Sequence, residues 1–126
     1  MDMDTLVDSR GCEKLVNQLI EYDQRLYKDA LTGVYNRRYF EEQIKKKNEN
    51  AGVAVIDMDD FKLCNDTLGH SVGDAALRTM VKTVKHCIRK TDILIRYGGD
   101  EFILILENIK KENFFNKLVQ IQSDIH

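Results

Sequence analysis

The feature that most constrains the fold is a pair of apolar segments joined by a short glycine-containing turn. The segments are Ile93 to Tyr97 and Phe102 to Leu106, and the residues Gly98 to Glu101 join them. Apolar runs on both sides of so short a loop predict a β-hairpin. A further run, Gly52 to Asp57, has no polar alternation, which predicts a strand buried on both faces. The order of elements places this strand beside the hairpin in one mostly buried sheet.

The N-terminal segment, residues 1–28, predicts a helix that precedes the sheet-forming domain. An apolar stripe at alternating steps of three and four runs through Cys12, Leu15, Leu19, Tyr22 and Leu26. This spacing is typical of the end of a coiled-coil connector. The same stripe would also form if the helix packed on its own domain, because it covers barely two heptads. The sequence leaves both alternatives open.

Residues 29–126 predict one small α/β domain. Asp29 to Arg38 interrupts the helical pattern, and Asn36 within it is a predicted N-cap for a helix with Phe40 and Ile44 on one side. The stretch after the first strand is predicted to be irregular, and a last helix is predicted from Glu112 to His126. The predicted buried positions of the long middle helix and the last helix are Ala76, Leu77, Met80, Val81, Val84 and Ile88, then Phe115, Leu118, Val119, Gln122 and Ile125.

Composition narrows the class of protein and its partners. A chain that is 43% apolar and 32% charged is typical of a protein that folds in water. The net charge of -2 provides no overall attraction for nucleic acid, so no nucleic acid polymer is expected as a partner. Cys12, Cys64 and Cys87 are widely spaced and odd in number, which argues against a disulfide framework and a structural zinc site. We therefore expect a cytoplasmic domain, with any membrane anchor elsewhere in the parent protein.

Carboxylates gather where the predicted strands end. Asp57, Asp59 and Asp60 close the first strand, and Asp100 and Glu101 lie in the hairpin turn. Such a cluster is unfavourable unless a cation compensates it, and magnesium prefers oxygen ligands of this kind. Acidic residues after strands are also common solvated turn formers. Two carboxylate groups on neighbouring strands nevertheless favour a metal site, and the pattern lacks the glycine and closing glutamate of an EF-hand.

Nearby residues suggest a site for phosphate and for a base. Gly98 and Gly99 would let a phosphate group approach the backbone, although glycines are also ordinary in hairpin turns. The sequence contains no P-loop, so Lys62 would have to compensate phosphate charge, unless it is simply a solvated lysine. Asn65 and Asp74 together offer the donor and acceptors that read a guanine edge. Taken singly, they are also typical of a turn and of the start of a helix.

Three segments in this order and spacing resemble the GGDEF-domain diguanylate cyclases: DALTGVYNRRYF, DMDDFKLCNDTLGHSVGDAAL and RKTDILIRYGGDEF. The resemblance covers Asp29 to about His126. It implies an α/β (α+β) fold similar to the adenylyl cyclase and polymerase palm, with a mostly antiparallel sheet flanked by helices and preceded by a signalling helix. It also implies condensation of two GTP molecules into cyclic di-GMP and pyrophosphate by a homodimer with a half-site on each protomer.

The resemblance implies a role for each residue at the acidic end of the sheet. Asp57 and Asp100 would bind two Mg²⁺ ions per active site with help from the carbonyl of Met58, and Mn²⁺ is an alternative ion. Asp100 would also be the base for the attacking 3′-hydroxyl, and Glu101 would support the metal site. Lys62 would stabilise the transition state.

The resemblance also implies where substrate and product bind. Asn65 and Asp74 would hold guanine, with His70 in the same pocket. Arg89 and Asp92, within RKTD, would form an inhibitory site for cyclic di-GMP, because arginine can bind phosphate or a guanine edge with two hydrogen bonds.

Two further expectations concern the completeness of the domain and the alternatives to catalysis. The family pattern continues with a T-x-S-x-G strand and a final helix, which are absent from this sequence, so a C-terminally truncated domain with an open sheet edge is predicted. The main alternative is a catalytically silent GGDEF module that binds GTP or cyclic di-GMP for signalling, and a third is a dimerisation module. Retention of Asp57, Asp100 and Glu101 favours the cyclase. An upstream sensor domain is expected in the parent protein.

Overall fold

A four-stranded sheet with helices on both faces forms the domain in a computed structural model, which describes residues 9–47, 50–59 and 61–125. The strand order is β1-β3-β4-β2. This mixed architecture confirms the predicted α+β fold class. The helices are α1 (Ser9–Tyr27), α2 (Arg37–Tyr39) with a π-helical turn (Phe40–Ile44), α3 (Phe61–Leu68), α4 (His70–Cys87) and α5 (Lys111–Ile125), and the strands are β1 (Tyr35–Asn36), β2 (Ala51–Asp57), β3 (Ile93–Arg96) and β4 (Glu101–Glu107).

The sheet is mostly antiparallel and is centred on the predicted hairpin. β4 pairs antiparallel with β3 on one side and with β2 on the other. The prediction that the first apolar strand lies beside the hairpin is therefore confirmed. β4 begins at Glu101 rather than Phe102, and Tyr97 lies in the turn. The short strand β1 runs parallel to β3 and was not predicted, since two residues are too few to show a pattern.

The main core lies between the sheet and helices α4 and α5. Alternate residues of β4, including Phe102 and Leu104, point into it and are fully buried. The predicted apolar face of α4 is confirmed at its four central positions and extends to Cys87. The buried residues that α4 contributes to this core are Leu77, Met80, Val81, Val84 and Cys87.

Helix α5 presents a different face to the core from the one predicted. Phe115 and Val119 are 54% and 66% exposed, so their predicted burial is wrong, and Gln122 is exposed as well. The buried residue is Ile121, and Leu118 and Ile125 are half-buried as predicted. The packing of Phe114 explains the difference. Its ring lies against Gly52 in β2, where an added Cβ would overlap the ring, and this contact fixes the rotation of α5.

The opposite face of the sheet is covered only in part. Ile95, Ile103 and Ile105 pack there against Phe40 and Ile44 of the π-helical turn. This short helical segment begins at the predicted N-cap, because the Asn36 side chain accepts a hydrogen bond from the backbone N–H of Tyr39.

The cover does not extend over β2, which lies at one edge of the described sheet. Val53 and Val55 are 58% and 64% exposed, so the prediction of a strand buried on both faces is wrong. An unbroken apolar run therefore does not distinguish here between a fully covered strand and one whose second face lacks a neighbouring element.

The segment between β2 and α4 is helical, and the prediction of irregular structure there is wrong. Helix α3 occupies Phe61–Leu68, and α4 follows almost at once. Polar residues interrupt the apolar pattern of α3, so the sequence shows no clear helical period there. Gly69 joins the two helices with φ of 91°, a left-handed conformation that favours glycine.

Helix α1 does not pack its apolar stripe on the described domain. Leu15, Leu19 and Tyr22 are 47%, 60% and 61% exposed. Of the two alternatives left open by the sequence, packing on its own domain is therefore contradicted for these residues, and the connector remains a prediction. Within the part of the chain that the structure describes, none of the helices combines the length and the apolar character needed to cross a membrane.

Candidate active site

Strand pairing brings the two predicted carboxylate groups together at one end of the sheet. Asp57, the last residue of β2, lies directly opposite Glu101, the first residue of β4. One step further, the backbone N–H of Met58 donates a hydrogen bond to the carbonyl of Asp100 at 3.3 Å. Residues opposite each other in an antiparallel pair project to the same face, so Asp57 and Glu101 share a face. Asp60, predicted in the same cluster, lies outside the described residues.

The negative charge at this end of the sheet is not compensated by an ion pair within the described part of the chain. Asp57, Asp100 and Glu101 take part in none of the ion pairs found among the described residues. Lys62, the predicted counter-charge, is exposed on α3. Within the described ranges, no group of three His, Cys, Asp or Glu side chains is arranged to hold a metal ion. The carboxylates fit a hard cation in chemical type, but side chains alone would leave its coordination incomplete.

Arg96 ties the turn of the hairpin to the loop that follows α1. Its Nε and Nη2 donate to the carbonyl of Gly99 at 3.2 and 2.7 Å. Its Nη1 lies 3.3 Å from both carboxylate oxygens of Asp29, and both side chains are less than one-fifth exposed. Arg96 thus holds the backbone immediately before Asp100 in place.

Asp29 is itself fixed within the DALTG segment. One of its carboxylate oxygens accepts hydrogen bonds from the Thr32 backbone N–H at 2.9 Å and the Thr32 hydroxyl at 2.6 Å. Burial opposes the charged carboxylate, but these hydrogen bonds and then the charge of Arg96 outweigh it, so the pKa of Asp29 lies below its usual value.

Tyr97, the residue after Arg96, anchors the same turn. Its hydroxyl donates to a carboxylate oxygen of Glu41 at 2.8 Å, and its ring packs edge-on against Phe40. The guanidinium of Arg37 lies over the Tyr97 ring, 4.6 Å from its centroid. The hydrogen bond from Tyr97, followed by that from Lys45, lowers the pKa of Glu41. The turn that carries Asp100 is therefore anchored at its start by two consecutive residues, Arg96 and Tyr97.

The predicted guanine-binding residues lie where α3 packs against α4. Asn65 is half-buried, and its Oδ1 is buried without a hydrogen-bond partner among the described residues. The Asn65 amide fits against α4 because residue 73 is glycine. A Cβ at Gly73 would overlap this amide. Asp74 is half-buried next to Gly73, whereas His70 is exposed at the first position of α4. The helix pair thus places Asn65 and Asp74 near each other, and the orphaned amide oxygen is a polar atom that a ligand or water could satisfy.

The predicted inhibitory residues are joined to each other. The guanidinium of Arg89 donates to both carboxylate oxygens of Asp92, at 3.0 and 3.3 Å, and its backbone N–H donates at 2.8 Å. The Asp92 side chain is only 3% exposed, whereas that of Arg89 is 55% exposed. The carbonyl of Glu107 accepts a further hydrogen bond from Arg89. The pair is preformed, and Arg89 is the member available to an incoming ligand.

The supporting role of Arg96 and Asp29 was not predicted from the sequence. Both residues lie inside the motifs that carry the resemblance, but 67 positions separate them. Their charges are opposite, yet opposite charges at that separation are common, and only the fold shows that they meet. The anchoring of Tyr97 by Glu41 could not be read from the sequence for the same reason.

Comparisons with known proteins agree with this geometry. The sequence profile of the family described as "Diguanylate cyclase, GGDEF domain" matches residues 26–125. The chain therefore belongs to the GGDEF domain family. "Probable diguanylate cyclase DgcC" of Escherichia coli K12 is 32% identical over 120 residues, which cover 86% of this chain and 32% of DgcC. The chain thus spans about a third of the length of this relative.

Two further relatives show the range of proteins that contain this domain. The coiled coil and GGDEF domain of DgcB from Caulobacter crescentus, solved in complex with c-di-GMP, superimposes with a TM-score of 0.78 at 27% identity, covering 94% of this chain and 66% of that one. "Cyclic di-GMP phosphodiesterase PdeB" of Shewanella oneidensis is 38% identical over 81 residues, which cover 62% of this chain and 10% of PdeB. Membership of the family is therefore compatible with more than one activity of the whole protein.

Proposed function

We propose that the protein is a diguanylate cyclase that condenses two GTP molecules into cyclic di-GMP and pyrophosphate. The observation that carries the proposal is the register between β2 and β4, which sets Asp57 opposite Glu101 and bonds Met58 to Asp100. This arrangement gathers, at the end of two neighbouring strands, carboxylates that form no ion pair among the described residues. The kinship with DgcC and with other proteins named diguanylate cyclases supports the same activity.

Each residue at the acidic end has a proposed task. Asp57 and Asp100, with the carbonyl of Met58, would hold two Mg²⁺ ions, or Mn²⁺ in their place, and Glu101 would support them. When bound, the metal supplies positive charge that favours an ionised 3′-hydroxyl and a departing pyrophosphate. Asp100 accepts the proton of the 3′-hydroxyl while the hydroxyl oxygen bonds to the α-phosphorus of the second GTP and the bond from that phosphorus to pyrophosphate breaks. Lys62 compensates the negative charge that develops on the phosphoryl oxygens.

Guanine binding is proposed for the junction of α3 and α4. Asn65 and Asp74 are half-buried there and present an amide and a carboxylate, which match the donor and acceptor groups of a guanine edge. His70 is exposed close by, at the start of α4. The open space over Gly99, where an added Cβ would meet no atom within 4 Å, leaves room for a phosphate at the turn.

The reaction joins two nucleotides, so we propose that two copies of the chain meet with one GTP in each. The exposed apolar stripe of α1 supports this proposal, since a helix with such a stripe is suited to pairing with a second copy. Arg89 and Asp92 are proposed to bind the product and limit its synthesis. Deleting residues 1–28 should reduce the dimer fraction in sedimentation equilibrium, and an unchanged dimer would exclude α1 as the dimerisation element.

The experiment that tests the proposal is product analysis by liquid chromatography after incubation of the full-length protein with GTP and Mg²⁺. We expect cyclic di-GMP and pyrophosphate from the wild type and neither from Asp100→Ala. The variant should retain its thermal unfolding midpoint, because Asp100 takes part in none of the ion pairs among the described residues. Equal product from both proteins would exclude the proposed base.

A second candidate is a silent module that binds GTP or cyclic di-GMP and regulates a partner. The preformed Arg89–Asp92 pair favours it, since this pair needs no catalytic machinery to bind a ligand. Calorimetry with cyclic di-GMP separates the candidates when it is read beside product analysis. Binding without any turnover of GTP by the full-length protein would establish the receptor.

We also propose a cytoplasmic location for this domain and a sensor domain upstream of α1. The three free cysteines support a reducing compartment. Thiol labelling in intact cells with a membrane-impermeant reagent tests the location, and reaction of the exposed Cys12 before lysis would contradict it.

A further inference from the structure

A cavity with a strongly basic lining lies apart from the acidic end of the sheet. Its volume is about 320 Å³, and its walls come from the segment after α1, from β1 and from the end of α4. Val34, Ile88 and Leu94 supply apolar wall. The charged and aromatic residues of the lining are Lys28, Lys85, Arg89, Lys90, Asp92 and Tyr35.

Apart from Arg89, the positive charges of the cavity have no carboxylate partner among the described residues. Its one carboxylate, Asp92, is 3% exposed and already bonded to Arg89. Lys28 lies over the Tyr35 ring, with Nζ 3.7 Å from the ring centroid, instead of meeting a carboxylate. Among the described residues, neither Lys85 nor Lys90 forms an ion pair. Like charges gathered in one concavity create a local positive potential, even though the chain as a whole has a net charge of -2.

The environment of Lys28 shows the same lack of compensation. Burial, followed by repulsion from the charge of Lys85, lowers the pKa of Lys28. Both effects disfavour the ammonium form, and an anion bound between the two lysines would relieve the repulsion. A lysine ammonium has three rotatable donors and readily binds phosphate as a point charge.

We propose that Lys28 and Lys85, with Lys90 beside them, bind a phosphate group of a nucleotide next to the Arg89–Asp92 pair. A cavity of about 320 Å³ is of the size that proteins use for small ligands. The identity of the nucleotide as cyclic di-GMP rests on the proposed function, whereas the phosphate site itself rests on the charges of the cavity. Inorganic pyrophosphate, the other product of the proposed reaction, has the same phosphate chemistry and is the alternative source.

A phosphate bound at this site would contact the junction between α1 and the domain. Lys28 is the residue that follows α1, and it forms an isolated β-bridge with Tyr35. The Tyr35 ring in turn stacks on Tyr39 with centroids 3.7 Å apart. A phosphate on Lys28 therefore contacts the segment through which α1 is connected to the sheet.

Calorimetric titration in the absence of divalent metal tests the proposal, with cyclic di-GMP and inorganic pyrophosphate as separate probes. The test variant is Lys28→Gln/Lys85→Gln, and Lys46→Gln is the matched control, since Lys46 is exposed and lies outside the cavity. We expect the double variant to bind cyclic di-GMP at least about tenfold more weakly, as the loss of charge-assisted hydrogen bonds predicts. Lys28→Arg/Lys85→Arg should retain most of the affinity, and Lys46→Gln all of it.

The outcomes separate the ligand sources and the two proposals. A loss of affinity for both probes supports a general phosphate site, and a loss for cyclic di-GMP alone supports a site restricted to the dinucleotide. Unchanged affinity in the double variant, or no binding of either probe by the wild type, overturns the inference. Turnover of GTP by the full-length protein is measured separately, so that failure of the cyclase proposal leaves this result readable.

Discussion

The acidic end of the sheet and the lysines of the basic cavity are opposite in charge but alike in forming no ion pair among the described residues. Asp57, Asp100 and Glu101 form no ion pair among the described residues, and the same holds for Lys28 and Lys85. The Arg96–Asp29 pair is different, because both side chains are largely buried and bonded to each other. The Arg96–Asp29 charges that hold the fold together are thus paired, whereas these carboxylates and lysines, which are proposed to meet a ligand, form no ion pair among the described residues.

The two regions also differ in how the structure fixes them. The acidic end depends on strand register and on a turn anchored at its start by Arg96 and Tyr97. The basic cavity depends on the meeting of three elements, with one preformed pair inside it. We therefore expect changes at the acidic end to affect turnover, and changes in the cavity to affect affinity for phosphate.

The largest effect is expected for Asp57→Asn, which removes a charge from the acidic end without changing its shape. Formation of cyclic di-GMP by the full-length protein should fall at least about 100-fold, as expected for loss of a group that stabilises the transition state electrostatically. Asp66→Asn on the exposed side of α3 is the control and should have the wild-type rate. An undiminished rate in Asp57→Asn would remove this end of the sheet from the reaction.

Gly73→Ala should weaken GTP binding through Asn65. The added methyl group overlaps the Asn65 amide and should destabilise the fold by about 1–3 kcal/mol, as overpacking does. Denaturant unfolding and GTP affinity are the measurements. In the background of Asn65→Ala the same change should cost less, because the clashing group is absent. Equal costs in the two backgrounds would show that Gly73 does not act through Asn65.

Arg96→Met should lower both stability and turnover by loosening the hairpin turn. Loss of the bonds to Gly99 and Asp29 is expected to reduce the free energy of unfolding by about 1–2 kcal/mol. The turnover number should fall while KM for GTP changes little, since Arg96 positions the turn and does not touch guanine. Arg38→Met is the control, because the solvent-exposed Arg38–Glu42 pair should contribute little to stability. Equal effects of the two changes would argue against a special role for Arg96.

The smallest effect concerns the pH dependence of stability. The pKa of Asp29 is lowered in the folded state, so its stabilising contribution is complete above the unfolded value of about 4 and is lost as pH falls through the lower folded value. The stability difference between the wild type and Asp29→Asn should therefore shrink in urea titrations below about pH 4. A difference that stays constant from neutral pH to about pH 3 would contradict the assignment.

The sequence was informative wherever a local rule decides the structure. The hairpin, the core face of α4 and the Asn36 cap were all predicted, because each depends on residues close in sequence. The approach of Asp57 to the hairpin turn was also anticipated, because neighbouring strands bring their ends together.

The rest depended on tertiary packing that no local pattern encodes. The buried face of α5 is set by the fit of Phe114 against Gly52, and the exposure of Val53 by the lack of a covering element in the described structure. Arg96 and Asp29 are 67 positions apart, and only the complete fold brings them into contact. The basic cavity likewise joins lysines from two separate segments.

The most direct test of the central claim is the metal dependence of product formation by the full-length protein. GTP is incubated with the protein in Mg²⁺ or in excess chelator, and the products are separated by liquid chromatography. The account predicts cyclic di-GMP and pyrophosphate in Mg²⁺ and neither in chelator. Binding of cyclic di-GMP with no product in Mg²⁺ or Mn²⁺ would contradict a catalytic acidic end and would leave a receptor built around the basic cavity.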